Sequence, residues 1–297
     1  MSEKNFRSGF VAILGRPNVG KSSIMNYFVG EKVAIVSDRP QTTRSRILGV
    51  TAREDWQIVF VDTPGLHTPR TKLGEYMVRA ANEAKAGVDA VLCVVDGHFI
   101  GEGDKAVMRD VLKMDCPKFL AVNKIDAVPK EKLAPQLATL ADMSFDEIIT
   151  VSAKRGDNMD ILLDRLVASL PEGPKYFPDD MITDQPERVM AAEIIREKAL
   201  LNLREEIPHG VGVEMLAITK LSDQLTEIHA NLYCEKPSHK SIIIGKQGSM
   251  LKIIGSQARV EIERLLDTKI MLRLWVKVRE DWRNRKGDLR TLGYEDT

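Results

Sequence analysis

Short apolar runs alternate with amphipathic stretches from Phe10 to about Leu170, and this alternation predicts the architecture of the first part of the chain. The apolar runs predict six strands: Phe10–Leu14, Arg46–Ala52, Gln57–Asp62, Ala90–Val95, Phe119–Asn123 and Ile148–Val151. The amphipathic stretches predict five helices: Lys21–Val29, Leu73–Ala86, Gly103–Lys113, Lys130–Ala141 and Met159–Ser169. Strands that alternate with helices form a mostly parallel sheet covered on both faces, so we expect an α/β fold.

One connection departs from this alternation. Only residues 53–56 join the strand Arg46–Ala52 to the strand Gln57–Asp62. Because a parallel crossover needs a dozen or more residues, these two strands are predicted to form an antiparallel hairpin. The sheet should therefore contain one antiparallel strand.

The pattern changes after Leu170. The segment Pro171–Pro178 contains three prolines and a glycine, which is typical of a linker between domains. Beyond it the predicted order is helix, strand, strand, helix, helix, strand: Glu187–Glu205, Val211–Thr219, Leu225–Cys234, Lys240–Ile244, Ser249–Leu266 and Lys269–Val278, with a short helix after Trp282. We therefore predict a first domain at residues 1–171, a linker at 172–186 and a second, α+β domain at 187–297.

Composition adds few constraints. The chain of 297 residues carries 43 Lys and Arg against 43 Asp and Glu, so its overall charge indicates no partner. Three widely spaced cysteines, Cys93, Cys116 and Cys234, argue against a disulfide framework or a zinc site and favour buried thiols in a reducing compartment. The segment Met1–Arg7 is polar and lacks a signal-peptide core, and no apolar run has the length of a membrane span, so a cytoplasmic location is expected.

The most informative motif lies between the first predicted strand and the first predicted helix. It reads Gly15-Arg16-Pro17-Asn18-Val19-Gly20-Lys21-Ser22, followed by Ser23. A glycine-rich loop in this context binds phosphates with its backbone N–H groups and with the positive end of the helix dipole. Lys21 is predicted to reach the β- and γ-phosphates, and the Ser22 hydroxyl to ligate Mg²⁺.

A second motif, Asp62-Thr63-Pro64-Gly65, ends the third predicted strand. Asp62 is expected to hold Mg²⁺ through a water, and the Gly65 N–H to contact the γ-phosphate. Between the first helix and the second strand, Gln41-Thr42-Thr43-Arg44 offers a hydroxyl that completes the Mg²⁺ shell, and we favour Thr43 over Thr42. This polar stretch, which includes Pro40, is predicted to be mobile without a bound nucleoside triphosphate and to act as the switch.

Two further motifs predict which base is bound. Asn123-Lys124-Ile125-Asp126 and Ser152-Ala153-Lys154 follow the fifth and sixth predicted strands. The Asp126 carboxylate can accept hydrogen bonds from guanine N1–H and the exocyclic N2 amine, which adenine lacks. Asn123 and Lys124 are expected to brace the loop, with the Ala153 N–H on guanine O6. The expected ligands are therefore GTP and GDP.

The residue after Gly65 is Leu66, where many GTPases carry a glutamine that orients the attacking water. We predict slow intrinsic hydrolysis in which Lys21, Thr43, Gly65 and Asn18 are the catalytic residues. A partner surface, or a monovalent cation near Asn18, would have to supply the missing function.

The second domain carries a candidate RNA-binding loop. Its residues are Ile244, Gly245, Lys246, Gln247 and Gly248, with Lys252 one turn later. A Gly-x-x-Gly loop between two apolar helices, after two strands, is typical of KH domains and clamps about four unpaired nucleotides. Residues 236–290 contain 14 basic and six acidic residues, which supports RNA binding. We predict Trp275 as a core residue, whereas Trp282 fits either the core or a base-stacking position.

These motifs together resemble the Era/TrmE family of bacterial GTPases over essentially the whole chain. The residues that carry the resemblance are the loop Gly15–Ser22, Gln41–Arg44, Asp62–His67 and the KH-like domain. The resemblance implies an α/β P-loop GTPase domain followed by an α+β type II KH domain. It further implies GTP hydrolysis coupled to binding of the 3′ end of 16S ribosomal RNA, during its processing and 30S subunit biogenesis. Some relatives with asparagine at the position of Asn18 use K⁺ as a cofactor.

Two other functions stay open on the sequence. The KH domain could act as a binding module whose orientation is set by nucleotide, without catalysis. Alternatively, a GTP-regulated signalling protein could act on a protein or membrane partner, with its basic end on anionic lipid at the inner face of the cell membrane. Either way, we expect a monomer.

Overall fold

In a computed structural model, the described residues are 6–39, 41–66, 69, 71–85 and 87–294. They form two compact units. The first lies within Met1–Val36, Thr43–Thr68 and Met77–Asp184, and the second within Ser37–Thr42, Pro69–Tyr76 and Gln185–Thr297. Two short segments from the first half of the chain therefore group with the C-terminal unit, which the sequence pattern does not predict. Pro40, Ala86 and His67, which fall within predicted features, lie outside the described residues.

The first unit is built on a six-stranded sheet. Its strands are β1 (Arg7–Leu14), β2 (Ile47–Ala52), β3 (Trp56–Asp62), β4 (Ala90–Asp96), β5 (Lys118–Asn123) and β6 (Glu147–Thr150). The helices of this half of the chain are α1 (Lys21–Val29), α2 (Lys72–Glu83), α3 (Glu102–Val111), α4 (Lys130–Leu140) and α5 (Met159–Ser169). The strand order is β2-β3-β1-β4-β5-β6, and only the β2–β3 pair is antiparallel. The predicted hairpin is thus confirmed.

Both faces of this sheet are buried, as parallel strands require. Successive residues of β1 and β4 point into different apolar clusters: Ile13 and Leu92 into one, Leu14 and Cys93 into the other. Burial raises the pKa of the Cys93 thiol to about 12, so this cysteine stays protonated and unreactive. Cys234 is also buried, whereas Cys116 is partly exposed, contrary to the prediction for that residue.

The proline-rich segment after α5 packs along the hairpin of the first unit. The buried Gln57 side chain accepts hydrogen bonds from the backbone N–H groups of Tyr176 and Phe177 and donates one to the Phe177 carbonyl. Further along, the N–H of Val50 in edge strand β2 donates to the Ile182 carbonyl at 2.8 Å. The predicted linker therefore covers an edge strand that would otherwise present unpaired backbone groups.

The second unit contains a three-stranded sheet and the helices around it. Its elements are α6 (Glu187–Asn202), β7 (Gly212–Ser222), β8 (Leu225–Cys234), α7 (Pro237–Ile244), α8 (Ser249–Leu266), β9 (Lys269–Val278) and α9 (Lys286–Thr291). The strand order is β7-β8-β9, with β7–β8 antiparallel and β8–β9 parallel. The predicted order of elements is confirmed.

The two tryptophans named from the sequence have different surroundings. Along β9 the residues alternate, and Ile270 and Val276 enter the core. Trp275 belongs to the opposite row and is 42% exposed, so the prediction that it is a core residue is wrong. Trp282 is fully buried and donates its indole N–H to the Gly210 carbonyl at 2.9 Å, which gives it a structural role. Among the described residues, no helix has the length and apolar character needed to cross a membrane.

Candidate functional site

The phosphate loop connects the carboxyl end of β1 to the start of α1, and its glycines are required by close contacts. Gly20 has a φ of 98°, and a Cβ there would lie 2.2 Å from the Asn123 Nδ2 atom. A Cβ on Gly65 would lie 2.4 Å from the Pro17 nitrogen. Within the part of the chain that the structure describes, no side chain caps the N-terminus of α1, so its first N–H groups are available to an anion.

Lys21 is buried within this loop. Its Nζ atom donates to the carbonyls of Gly15, at 3.2 Å, and Arg16, at 2.9 Å. Burial lowers the pKa of Lys21 to about 8, although the nearby Asp62 carboxylate acts in the opposite direction. The ammonium group therefore donates to neutral backbone carbonyls. A phosphate, which is charged, would be a stronger hydrogen-bond acceptor for it.

Three oxygen-bearing side chains converge beside Lys21. The Ser22 hydroxyl donates to Asp62 Oδ2 at 2.6 Å, and Thr43 Oγ1 lies 2.9 Å from Ser22 Oγ and 3.3 Å from Asp62 Oδ2. Burial raises the pKa of Asp62, whose Oδ1 atom is buried without a hydrogen-bond partner among the described residues. Two hydroxyls and a carboxylate are hard oxygen donors of the kind Mg²⁺ prefers, so this set fits the ion.

Thr42 does not join this cluster. Its hydroxyl donates to the Arg39 carbonyl at 2.6 Å and lies 2.7 Å from Ser37 Oγ. Of the two threonines considered from the sequence, the structure therefore brings Thr43 to Ser22 and Asp62.

The segment after β3 lies against the phosphate loop. The Leu66 N–H donates to the Gly15 carbonyl at 3.2 Å, and the Thr63 hydroxyl donates to the Ile13 carbonyl at 2.9 Å. Gly65 is thereby fixed beside Pro17. The Leu66 side chain packs against an apolar cluster of the first unit, so it offers no polar group to a water molecule.

Asn123 links three of the predicted motifs. Its Nδ2 group donates to the Val19 carbonyl at 2.9 Å, and its Oδ1 atom accepts from the Ala153 N–H at 3.1 Å. The Ala153 N–H therefore already has an acceptor, and it would contact guanine O6 only by sharing or giving up this bond. Lys124 donates from Nζ to the Asn18 carbonyl at 2.7 Å. The base motifs and the phosphate loop are thus joined by direct hydrogen bonds.

The Asp126 carboxylate is oriented by the Ser152 hydroxyl, which donates to Oδ1 at 2.7 Å. This hydrogen bond lowers the pKa of Asp126, so the side chain is an ionised acceptor at neutral pH. Lys154 is exposed beside it. An ionised carboxylate aimed by a neighbouring hydroxyl is suited to accept two N–H groups of guanine.

Two acidic residues near this site were missed in the sequence analysis. Asp96 pairs with Lys124 at 2.7 Å, and although burial acts to raise its pKa, hydrogen bonds from Lys124 and His98 lower it overall. Asp104, on α3, accepts from Arg16 at 3.3 Å. Asp96 carries the same signal as the other motifs, because it is a polar residue at the carboxyl end of a parallel strand.

The candidate RNA-binding loop joins α7 to α8 in the second unit. Gly245 and Gly248 have φ values of 75° and 80°, and a Cβ on Gly245 would lie 2.7 Å from the Met250 nitrogen. Lys246 and Gln247 are exposed at its tip. Gly248 leaves open space for a ligand, and α8 begins there without a side-chain cap.

Two residues flank this loop. Ile244 is half-buried against the core, so it anchors the loop, whereas Lys252 is exposed on the second turn of α8. A loop with an exposed lysine, accessible glycine backbone and a free helix N-terminus is suited to bind phosphates of a nucleic-acid chain.

Comparisons with known proteins agree with this geometry. Residues 10–124 match the family model described as a 50S ribosome-binding GTPase, and residues 206–283 match the model of the KH domain. GTPase Era of Ruminiclostridium cellulolyticum is 51% identical over 98% of this chain and 98% of its own length. GTPase Era of Alkaliphilus metalliredigens is 52% identical over 98% of this chain and 100% of its own.

Solved structures give the same result. A crystal structure of Era in complex with MgGDPNP and nucleotides 1506–1542 of 16S ribosomal RNA superposes with a TM-score of 0.93 at 38% identity, covering 98% of this chain and 100% of the other. A variant of Aquifex aeolicus Era bound to GDP·AlF4⁻ superposes with a TM-score of 0.92 at 38% identity, with the same coverage. On this similarity along nearly its full length, the chain belongs to the Era family of GTPases, with a P-loop GTPase domain followed by a KH domain.

Proposed function

We propose that this protein binds GTP and GDP, hydrolyses GTP, and couples its nucleotide state to binding of the 3′ end of 16S ribosomal RNA. In this proposal the protein acts in 16S ribosomal RNA processing and in biogenesis of the 30S ribosomal subunit. The observation that carries this proposal is the convergence of Ser22, Thr43 and Asp62 on a phosphate loop that Asn123 joins to the base motifs. In those motifs the Ser152 hydroxyl orients the Asp126 carboxylate. The family's complex with 16S ribosomal RNA supports the RNA partner.

The phosphate groups are bound and oriented by the loop. Backbone N–H groups of Gly15–Ser23 surround the phosphates, and Lys21 donates to the β- and γ-phosphates as charge develops on them. The Gly65 N–H, fixed beside Pro17, contacts the γ-phosphate and reports whether it is present. The residues assigned to the nucleotide are the loop itself, Asp62-Thr63-Pro64-Gly65, Asn123, Lys124, Asp126, Ser152, Ala153 and Lys154.

The metal ligands are Ser22, Thr43 and Asp62, the last through a water. Mg²⁺ bound there neutralises phosphate charge during the in-line attack of water. Thr43 also connects the nucleotide site to the switch segment, because its hydroxyl lies 2.9 Å from Ser22 Oγ and 3.3 Å from Asp62 Oδ2, beside the position assigned to the ion.

Leu66 cannot orient the attacking water, since its side chain is apolar and packed into the protein. Slow intrinsic turnover follows, together with a need for assistance. We propose K⁺ near Asn18 as one source of that assistance. Its test is the GTPase rate in K⁺ and in Na⁺: K⁺ should stimulate the wild type and not Asn18→Ala, whereas equal rates in both salts contradict the role.

The RNA site is assigned to Ile244, Gly245, Lys246, Gln247, Gly248 and Lys252. The glycines let the RNA backbone approach, and Lys246 and Lys252 supply positive charge. The decisive experiment measures multiple-turnover GTP hydrolysis with and without RNA of the 16S 3′ end. RNA that both binds and changes the rate supports the coupled function, whereas RNA that binds without any effect on turnover supports a simple binding module.

The basic surplus in residues 236–290 also favours a second candidate, a GTP-regulated signalling protein acting on a protein or on anionic lipid. We place the protein in the cytoplasm as a monomer, with peripheral contact at the cell membrane. Sedimentation with anionic vesicles tests this contact, and binding to vesicles but not to RNA would favour the second candidate.

A further inference from the structure

A groove continues from the Gly-x-x-Gly loop along α8 towards β9. Gly248 belongs to both the loop and the groove, which makes the two surfaces continuous. Further lining residues are Leu251, Lys252, Gly255, Arg259, Leu272 and Leu274. The apolar side chains suit the face of a nucleobase, and the two charged ones are cations that suit phosphates. This composition matches an unpaired RNA strand that continues beyond the loop.

Gly255 is unusual within this groove because it lies inside an 18-residue helix. A glycine in a helix interior is less favourable than alanine, so its presence calls for a reason. Its φ is not in the left-handed region, unlike those of Gly245 and Gly248. Of the atoms of the described residues, an added Cβ would meet only Leu274 Cδ1, at 3.3 Å, and that atom is the end of a partly exposed side chain that can move. Neither backbone conformation nor packing within the protein therefore requires glycine here.

We infer that Gly255 is a base-contact residue of the RNA site: its missing side chain lets one unpaired base lie directly against the backbone of α8. A methyl group at this position would hold an aromatic ring about 3.5–4 Å above itself, out of contact with the helix backbone. The base then rests between that backbone and the apolar wall of Leu272 and Leu274, while Lys252 and Arg259 face the flanking phosphates. This inference rests on the proposed RNA-binding function and names one nucleotide contact within it.

The test is Gly255→Ala in the full-length protein. Because alanine favours the helix, the melting temperature should stay level or rise. Affinity for a fluorescent oligonucleotide of the 16S 3′ end should fall about tenfold, as expected for loss of one well-packed base. Basal GTP hydrolysis should not change. Gly287→Ala is the matched control: it also fills a helical glycine, but in α9, where an added Cβ meets no atom within 4 Å.

A series of oligonucleotides, each with one abasic position, locates the contact. One abasic substitution should weaken binding to the wild type and have no further effect on Gly255→Ala, since both changes remove the same contact. Wild-type affinity and an unchanged abasic profile in Gly255→Ala would overturn the inference. A strongly lowered melting temperature would also overturn it, by showing that packing requires the glycine. If the wild type itself bound no RNA, the proposed function would fail, and this inference with it.

Discussion

Lys21 shows how burial prepares a single side chain for its ligand. The lysine is 6% exposed, and its ammonium group donates to two backbone carbonyls in place of the lost water. The resulting pKa of about 8 means that the charged form is held weakly until a phosphate arrives. The same cluster contains Asp62, whose pKa is raised by burial, so both charges of the site depend on a ligand for full stabilisation.

This environment predicts proton uptake on nucleotide binding. Phosphate favours the ammonium form, so it raises the pKa of Lys21 above its value of about 8 in the free protein. Below that pH the lysine is already charged; above it, binding must take up a proton, and affinity falls by up to about tenfold per pH unit. Calorimetry of GDP binding in buffers of different ionisation enthalpy should show uptake at about pH 8.5 and little at about pH 7.2. Equal enthalpies in all buffers at the higher pH would contradict this.

Asp126 carries a second prediction, on base selection. Asp126→Asn replaces a charged acceptor with an amide that opposes a donor to guanine, and two hydrogen bonds at about 1.5–3 kcal/mol each are lost. GDP affinity measured by equilibrium fluorescence should fall at least about a hundredfold. Ser152→Ala, which removes only the 2.7 Å hydrogen bond that orients the carboxylate, should have a smaller effect. A variant Asp126→Asn that retains wild-type affinity would rule out the assigned contact.

Among the elements, the segment after α5 has the most unexpected role. It pairs with edge strand β2 at Ile182 and with the Gln57 side chain of β3. An edge strand left uncovered offers its backbone to other chains. The high proline content of this segment, residues 171–182, is typical of a linker but is also compatible with this role. A segment that lies along a sheet as a strap needs few backbone N–H donors.

Gln57→Ala should therefore destabilise the first unit. The substitution leaves the N–H groups of Tyr176 and Phe177 and the carbonyl of Phe177 without their partner, at a cost of about 2–4 kcal/mol. Urea denaturation followed by far-UV circular dichroism measures this loss. Lys175→Ala is a suitable control from the same segment, since it removes an exposed ion pair with Asp179 and should cost under about 0.5 kcal/mol. Equal stability of the two variants would show that the strap contributes nothing.

The protein combines a nucleotide-hydrolysing domain with a KH domain, and substitutions can disable one without altering residues of the other. The residues of the candidate nucleotide site belong to the first unit, and the Gly-x-x-Gly loop belongs to the second. Each can therefore be disabled without touching residues of the other.

The double variant Lys246→Asp, Gln247→Asp should abolish RNA binding, because two carboxylates at the loop tip repel the RNA phosphates. Basal GTP hydrolysis should match the wild type, while any change in rate caused by RNA should disappear. Both are measured in one phosphate-release assay with and without the 16S 3′-end RNA. Lys286→Asp, a charge reversal on exposed α9, serves as the control. If the loop variant still responded to RNA, the RNA site would have to lie elsewhere.

The amino-acid sequence by itself predicted which residues come together at the candidate nucleotide site. Gly15, Asp62, Asn123 and Ser152 lie far apart in the chain, yet all lie at or next to the carboxyl ends of strands. Parallel strands bring those ends to one edge of a sheet, so the periodic pattern was enough to predict that they meet. The boundaries of α1, α5, α8 and β9 followed equally well, because local periodicity and glycine positions define them.

The tertiary structure decided which way individual side chains point and which residues far apart in the sequence come into contact. Thr42 and Thr43 are adjacent and carry the same hydroxyl group. The packing of their segment places the Thr43 hydroxyl beside Ser22 and Asp62, and the Thr42 hydroxyl on the Arg39 carbonyl. Trp275 lies outside the core because pairing with β8 fixes which row of β9 faces the helices. The contacts of the segment after α5 with Gln57 depend on hydrogen bonds between residues separated by 119 and 120 positions. Such contacts leave no periodic trace in the chain, since the free energy that selects them arises only when the surfaces meet.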